Sequence, residues 1–372
     1  MTDLEYNHKP QATSHKPIVY PKIDEHLDKI HAVLAVYDPA GNYSQHAGVV
    51  ITSIFENTNN PITIHLLHDN TLTNENKKNF IRTAEKYGQN IILHDVSDLT
   101  ASFDTETISE TISKTKFTIG TLYRLFIPDI LADVDKVLYI DCDVIVNLDI
   151  AELWNIDIKN YSLAGVHQAE FFESKDECIR DKFNGCDCKT YINAGIMIMN
   201  LEKIRSKGSL LENSLSWIKK HIHLMYFADQ DILNSLFYGD IKLLDNKFNI
   251  AHSSVNNLYN ADESFMRGKI IHTSGDDKTW DFTGMPVQKL YWRYYLNSAW
   301  GENTTTENFM ITLHNIAEKN FREEDFKSSG HKNLIARVIY SLSWRIKQNT
   351  YFKICTIVLK ELRYKLTSLF KN

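Results

Sequence analysis

Apolar positions recur along this chain with two different periods, and the switches between them outline its elements. The run Ala32-Val33-Leu34-Ala35-Val36 is continuously apolar and predicts a short buried strand, ended by the loop Asp38-Pro39-Ala40-Gly41-Asn42. Ala47, Val50, Ile51, Ile54 and Phe55 then recur as one face of a helix. Residues 61–67 predict a second strand, residues 74–87 a helix stopped by Gly88, and residues 90–94 a third strand. Strands alternating with helices predict a doubly wound α/β sheet. In such sheets ligands bind beyond the carboxyl ends of the strands.

Further on, a helix over 118–126 is expected to end before Pro128, and residues 136–140 form a buried strand that runs straight into Asp141-Cys142-Asp143. Strands are predicted at 162–166, 192–199 and 269–271, and a helix from near Asp229. Residues 170–190 read as a long loop. The first 30 residues are polar, with prolines at 10, 17 and 21, and read as an extension. Residues 331–372 hold two helical patterns, and no internal repeat is present.

Composition narrows the class. With 372 residues, 43% hydrophobic and 24% charged, the chain can bury a sizeable core, and wholesale disorder is excluded. The net charge of −6 hides an uneven distribution. Residues 326–372 carry ten Lys or Arg against one acid, Glu361, leaving 31 basic and 46 acidic residues elsewhere. A basic tail on an acidic body predicts an anionic partner at the tail. No apolar run reaches the ~18 residues needed to span a bilayer. The N-terminus has no apolar signal region, and the odd count of five cysteines makes no disulfide framework. A cytoplasmic protein with reduced thiols is the expectation.

The chemistry concentrates at strand ends. Asp141 and Asp143 stand two apart after an apolar strand, where residues i and i+2 of extended chain share a side. Paired carboxylates repel unless one protonates or a cation lies between them, and hard oxygen ligands favour Mg²⁺ or Mn²⁺. The alternative is a pair of solvated turn aspartates. His272 ends another strand in Ile271-His272-Thr273-Ser274-Gly275-Asp276-Asp277-Lys278-Thr279-Trp280. Its nitrogen as a third ligand tilts the choice toward Mn²⁺. Gly275 permits close backbone approach to a ligand, and Lys278 can neutralise a phosphate. An ordinary loop with a surface lysine and a packed Trp280 is the plain alternative.

Four segments now combine: Leu138-Tyr139-Ile140-Asp141-Cys142-Asp143, Tyr191-Ile192-Asn193-Ala194-Gly195-Ile196, Ala228-Asp229-Gln230-Asp231, and His272-x-x-Gly275-x-x-Lys278-x-Trp280. In order and spacing they resemble glycosyltransferase family 8, over about residues 31–300. The resemblance implies a GT-A fold, a Rossmann-like nucleotide-sugar-binding α/β domain, preceded by the extension 1–30 and followed by a small basic helical region, 301–372. It implies a retaining, Mn²⁺-dependent hexosyltransferase taking UDP-glucose or UDP-galactose, like the bacterial enzymes that build lipopolysaccharide or other surface glycans. Asp141, Asp143 and His272 would hold the metal. Gly275 and Lys278 would contact the diphosphate, and Arg124 the donor sugar or diphosphate. Asn193, Asp229 and Gln230 would line the reacting sugar. The uridine would sit near Ala35, Tyr37, Asp38 and Asn42, although Pro39, Ala40 and Gly41 separate Asp38 from Asn42 here. Gln168 occupies a segment where the family often has an aspartate.

Metal and Lys278 can neutralise a leaving diphosphate without a proton donor. Gln230 is the positional candidate for a nucleophile, but an amide is a feeble one, so same-face attack is the expected route to retention. The competing readings are a phosphatase of the haloacid dehalogenase type, with Asp141 as nucleophile, and a catalytically silent sugar-nucleotide binder. A zinc site at Cys178, Cys186 and Cys188 is disfavoured by spacing. His65, His68, His221 and His223 read as surface or strand-edge residues, and Tyr291, Trp292, Tyr294, Tyr295 and Trp300 mostly as packing. The tail's basic amphipathic helices predict an anionic membrane surface as partner, with a glycan or glycolipid acceptor and peripheral placement at the inner face of the plasma membrane. No nucleic-acid partner is expected.

Overall fold

The computed structural model describes residues 24, 26–101, 118–168, 188–251, 263–274, 278–280 and 287–305. Gly275, Cys178, Cys186, residues 1–23 and residues 306–372, which include the basic segment 326–372, lie outside the described residues, as does the side chain of Cys188.

Seven strands form the main sheet in the order β3-β2-β1-β4-β7-β6-β8. They are β1 (Ile30–Val36), β2 (Ile62–His68), β3 (Asn90–Asp95), β4 (Lys136–Ile140), β6 (Leu163–His167), β7 (Ile192–Asn200) and β8 (Ile241–Leu244). The half from β3 to β4 is parallel, as alternation with helices α1 (Ser44–Asn57) and α2 (Asn74–Lys86) requires. β7 runs antiparallel to both β4 and β6. The sheet is therefore mixed, and the start of β7 reaches the edge where β4 ends.

Both faces are buried. Ala32, Leu34 and Val36 of β1 pack with Ile51, Ile54 and Phe55 of α1, while Val33 joins the opposite layer with Tyr139 and Met197. Double burial explains why β1 and β4 read as near-continuous apolar runs. That second layer also takes in Trp217 and Ile218 of α3 (Leu210–His221) and Ile232 and Leu233 of α4 (Asp229–Leu236).

Three further strands, β5 (Val144–Asn147), β9 (Ile250–Ala251) and β10 (Lys269–His272), form a small sheet in the order β5-β10-β9. The chain thus leaves the Asp-x-Asp segment directly into β5, a strand the apolar pattern did not separate from β4. Helix α5 (Val287–Asn297) packs Tyr291, Trp292, Tyr294 and Tyr295 against Ile145 and Ile271, in keeping with the packing role read for these aromatics.

Two local expectations change. The segment Ile119–Phe126 is a 3₁₀ helix, and it does not stop before Pro128: a helical turn, Ile127–Ile130, follows at once with Pro128 in its first turn, where a missing N–H costs nothing. His65 and His68 are buried on β2, not surface or edge residues. His65 sits between His31 and His94, with ring nitrogens 2.9 and 3.0 Å apart, and burial with these neighbours pushes its pKa down to about 3. The two neighbouring imidazoles thus engage both ring nitrogens of the buried His65. His221 and His223 are not buried, as expected.

Candidate active site

Three backbone pairings build the centre. β4 ends at Ile140, and the chain turns at Asp141-Cys142-Asp143. Cys142 points into the core, its Sγ–H 3.2 Å from the Ala35 carbonyl, so the carboxylates on either side face the cleft. Asp141 N–H donates to the Gly195 carbonyl at 2.8 Å, tying the turn to β7. β10 lies antiparallel to β5 with His272 opposite Val144, and Thr273 N–H reaches the Asp143 carbonyl at 3.0 Å. As a result, ligand atoms of Asp141, Asp143 and His272 lie within 4.8 Å of one another. His272 Nε2 is 3.2 Å from Asp143 Oδ1 and 4.0 Å from Asp141 Oδ2. Neighbouring ligands of an octahedral ion at ~2.1 Å lie roughly 3 Å apart, so this donor set fits a divalent cation.

Charge is arranged around that cluster. Arg124 is buried, stacks on the Tyr139 ring, and donates to Asp141 Oδ1 at 2.9 Å and the Ala194 carbonyl at 2.6 Å. Its Nε lies 2.9 Å from Asp229 Oδ2, but the N–H points to the Thr121 carbonyl. Asp229 Oδ2 is left without a hydrogen bond among the described residues. Burial, against the pull of Arg124, pushes the Asp229 carboxyl up to about 7. Lys278 Nζ donates to Asp143 Oδ2 at 2.6 Å and to the Thr273 carbonyl at 2.7 Å, using two of its three donors. Burial raises the Asp143 carboxyl's pKa, but His272 and Lys278 outweigh it and hold the group well below the usual carboxylate range.

A second cluster adjoins the first. Gln230 Oε1 accepts from Ala194 N–H at 3.0 Å, and its amide donates to Gln168 Oε1 and Tyr191 Oη at 3.1 and 3.2 Å. Asn193 Nδ2 donates to the same Gln168 oxygen at 2.9 Å. Tyr191 Oη–H bonds Asp231, whose other oxygen accepts Tyr226 and Phe227 N–H at 2.6 and 2.7 Å. Between them Ala228 sits at φ +49°, a conformation that costs a residue with a Cβ of order 1–3 kcal/mol. Asp231 therefore holds a strained bend that aims Asp229 and Gln230 at the cleft.

On the far side lie Ala35, Tyr37, Asp38 and Asn42. Asp38 accepts from Tyr43 N–H, Ser44 N–H, Ser44 Oγ and Asn76 Nδ2, so its carboxylate is spent on shaping the loop into α1. All the sequence-nominated site residues except Gly275 line one open cleft of about 1070 Å³. Residues given no role by the sequence are Gln168 as a hub, Tyr191, Gly195 and Asn249. Gln168 was marked only by its departure from the family pattern, Tyr191 and Gly195 lay inside one of the four motifs, and Asn249 carried no signal.

Residues 35–284 match the family model described as glycosyl transferase family 8. The chain belongs to that family. A putative glycosyltransferase of Haemophilus influenzae is 30% identical over 240 residues, 64% of this chain and 70% of that protein. The lipopolysaccharide 1,2-glucosyltransferase of Escherichia coli is 27% identical over 275 residues, 70% of this chain and 76% of the relative. Among solved structures, an active-site mutant of LgtC superposes with a TM-score of 0.61 at 25% identity, covering 76% of this chain and all of that one. The family 8 core is thus the mixed α/β fold described above, and the chain is a glycosyltransferase. No helix among the described residues is long and apolar enough to cross a membrane.

Proposed function

We propose that this family 8 enzyme moves glucose or galactose from a UDP-sugar to a glycan acceptor with retention of configuration, using Mn²⁺. The observation that carries the reading is the convergence of Asp141, Asp143 and His272 beside the Asn193–Asp229–Gln230 cluster within one cleft. Relatives named as lipopolysaccharide 1,2-glucosyltransferase and 1,3-galactosyltransferase favour these two hexoses and a surface-glycan acceptor.

The nucleoside binds over Ala35, Tyr37 and Asn42, on the loop that Asp38 fixes. A divalent cation held by Asp141, Asp143 and His272 supplies charge neutralisation for the leaving diphosphate. Lys278 adds a point charge from the same side through its remaining donor. Asp229, lining the cleft and paired with Arg124, would accept from a hydroxyl of the reacting sugar. Gln230 positions and does not attack: an amide is a feeble nucleophile, and its oxygen accepts the Ala194 N–H. This supports same-face attack, with the leaving diphosphate oxygen taking the acceptor's proton. A phosphatase role for Asp141 has little support, because residues 35–284 match the glycosyltransferase family. The basic segment 326–372 remains our candidate for holding the enzyme at an anionic membrane surface near its acceptor.

The direct test is a UDP-sugar panel read by slow donor hydrolysis with and without EDTA. UDP-glucose or UDP-galactose should be cleaved in a Mn²⁺-dependent way; release of phosphate from sugar phosphates instead would overturn the reading. Lys278→Ala should lower turnover about 10²-fold, the cost of one preorganised electrostatic contact. A loss under about threefold would remove Lys278 from the diphosphate site.

A further inference from the structure

Asn249 lies just before β9, where β9 pairs with β10, and it is buried at 3% exposure. It belongs to none of the four motifs, yet both ends of its carboxamide are engaged. Nδ2 donates to Asn193 Oδ1 at 2.9 Å, and Oδ1 lies 3.1 Å from His272 Nδ1. Asn193 Oδ1 also accepts the N–H of Gly195 at 2.9 Å.

A backbone N–H can only donate, so the Gly195 contact fixes which Asn193 atom is oxygen. That oxygen can only accept, which makes the facing Asn249 atom its nitrogen. The Asn249 oxygen then faces His272 Nδ1, so Nδ1 is the ring nitrogen that carries the proton. In the neutral ring Nε2 then keeps its lone pair for a cation, and Nε2 is the atom 3.2 Å from Asp143 Oδ1. From these contacts we infer that Asn249 is a positioning residue that sets the tautomer and ring orientation of His272, presenting Nε2 to a divalent cation. The inference rests on the metal reading proposed above. It extends that reading to a relay of two carboxamides, running from the β7 backbone to the metal ligand.

Outer partners of ligating histidines typically contribute 10–100-fold to metal affinity. Asn249→Ala should therefore weaken Mn²⁺ binding by about that factor, measured by electron paramagnetic resonance on donor-free enzyme. Asn249→Asp separates orientation from packing. A carboxylate still accepts from Nδ1 but cannot donate to Asn193, so Mn²⁺ affinity should return to within about threefold of the native value. Selective ¹⁵N-histidine NMR on metal-free protein, with His272→Gln to assign the signal, should show Nδ1 protonated in native enzyme and in Asn249→Asp, and a smaller share of Nδ1–H in Asn249→Ala. Unchanged affinity in Asn249→Ala, or an Asn249→Asp variant that is folded and as weak as Asn249→Ala, would overturn the assignment. So would an Nε2–H tautomer in the native protein. If native enzyme binds no Mn²⁺ while the Nδ1 proton behaves as stated, the metal reading fails, and of the inference only the fixing of the His272 ring by Asn249 stands.

Discussion

Asp143→Ala is expected to lower Mn²⁺-dependent transfer by about 10³-fold or more, since a bound cation is worth several kcal/mol of charge stabilisation and each 1.4 kcal/mol or so is tenfold in rate. The size of the effect follows from where the carboxylate stands. One oxygen faces His272 Nε2 at 3.2 Å, and the other takes the Lys278 ammonium at 2.6 Å. Removing it takes a ligand from the cation and the anchor from the lysine together. The fold should survive, because the contacts that tie this turn to its neighbours are made by backbone groups, including the Asp143 carbonyl with Thr273. Initial rates over a Mn²⁺ titration, with circular dichroism alongside, check it. Turnover within about threefold of native, or full activity of EDTA-treated native enzyme, would remove the metal from the mechanism.

Much of this site was legible because its signals are local. Asp141 and Asp143 close an apolar strand, and His272 closes another; a strand's apolar run and its polar end are both readable in sequence. The geometric reason differs from the expected one. The carboxylates converge through a turn with Cys142 tucked under Ala35, not through the pleat of an extended strand. The direction of β7 was not legible, since Ile192–Asn200 reads as a buried strand in either orientation. That direction delivers Asn193 and Gly195 to the end of β4. His65 was misread for a related cause: polarity within β2 implied an edge, while its partners His31 and His94 are 34 and 29 residues away. Asn249 and Gln168 act through contacts 56 and 25 residues distant in the chain, and no short pattern records such pairings.

Gly195→Ala tests the same centre from the side of packing. A methyl group built there would lie 2.3 Å from His272 Cε1, 2.8 Å from Asp141 Oδ2 and 3.0 Å from Asn193 Oδ1. Gly195 does not have positive φ, so the backbone tolerates alanine and the whole effect comes from lack of space. None of the three neighbours can yield independently. His272 is tied to Asn249, Asp141 to Arg124 and Tyr139, and Asn193 to Gln168 and Asn249. Relief therefore comes by moving His272 or Asp141 out of register with Asp143. A misplacement of ~1 Å in a catalytic constellation costs about 10² in rate. Overpacking of this kind costs about 1–3 kcal/mol in stability, a modest fall in Tm. The expected result is a folded protein with Mn²⁺ affinity and turnover both reduced about 10²-fold. Loss of turnover with native Mn²⁺ affinity would instead place the strain on the sugar side, at Asn193. Retention of both within about threefold would show that the cleft does not hold its ligands as closely as these distances require.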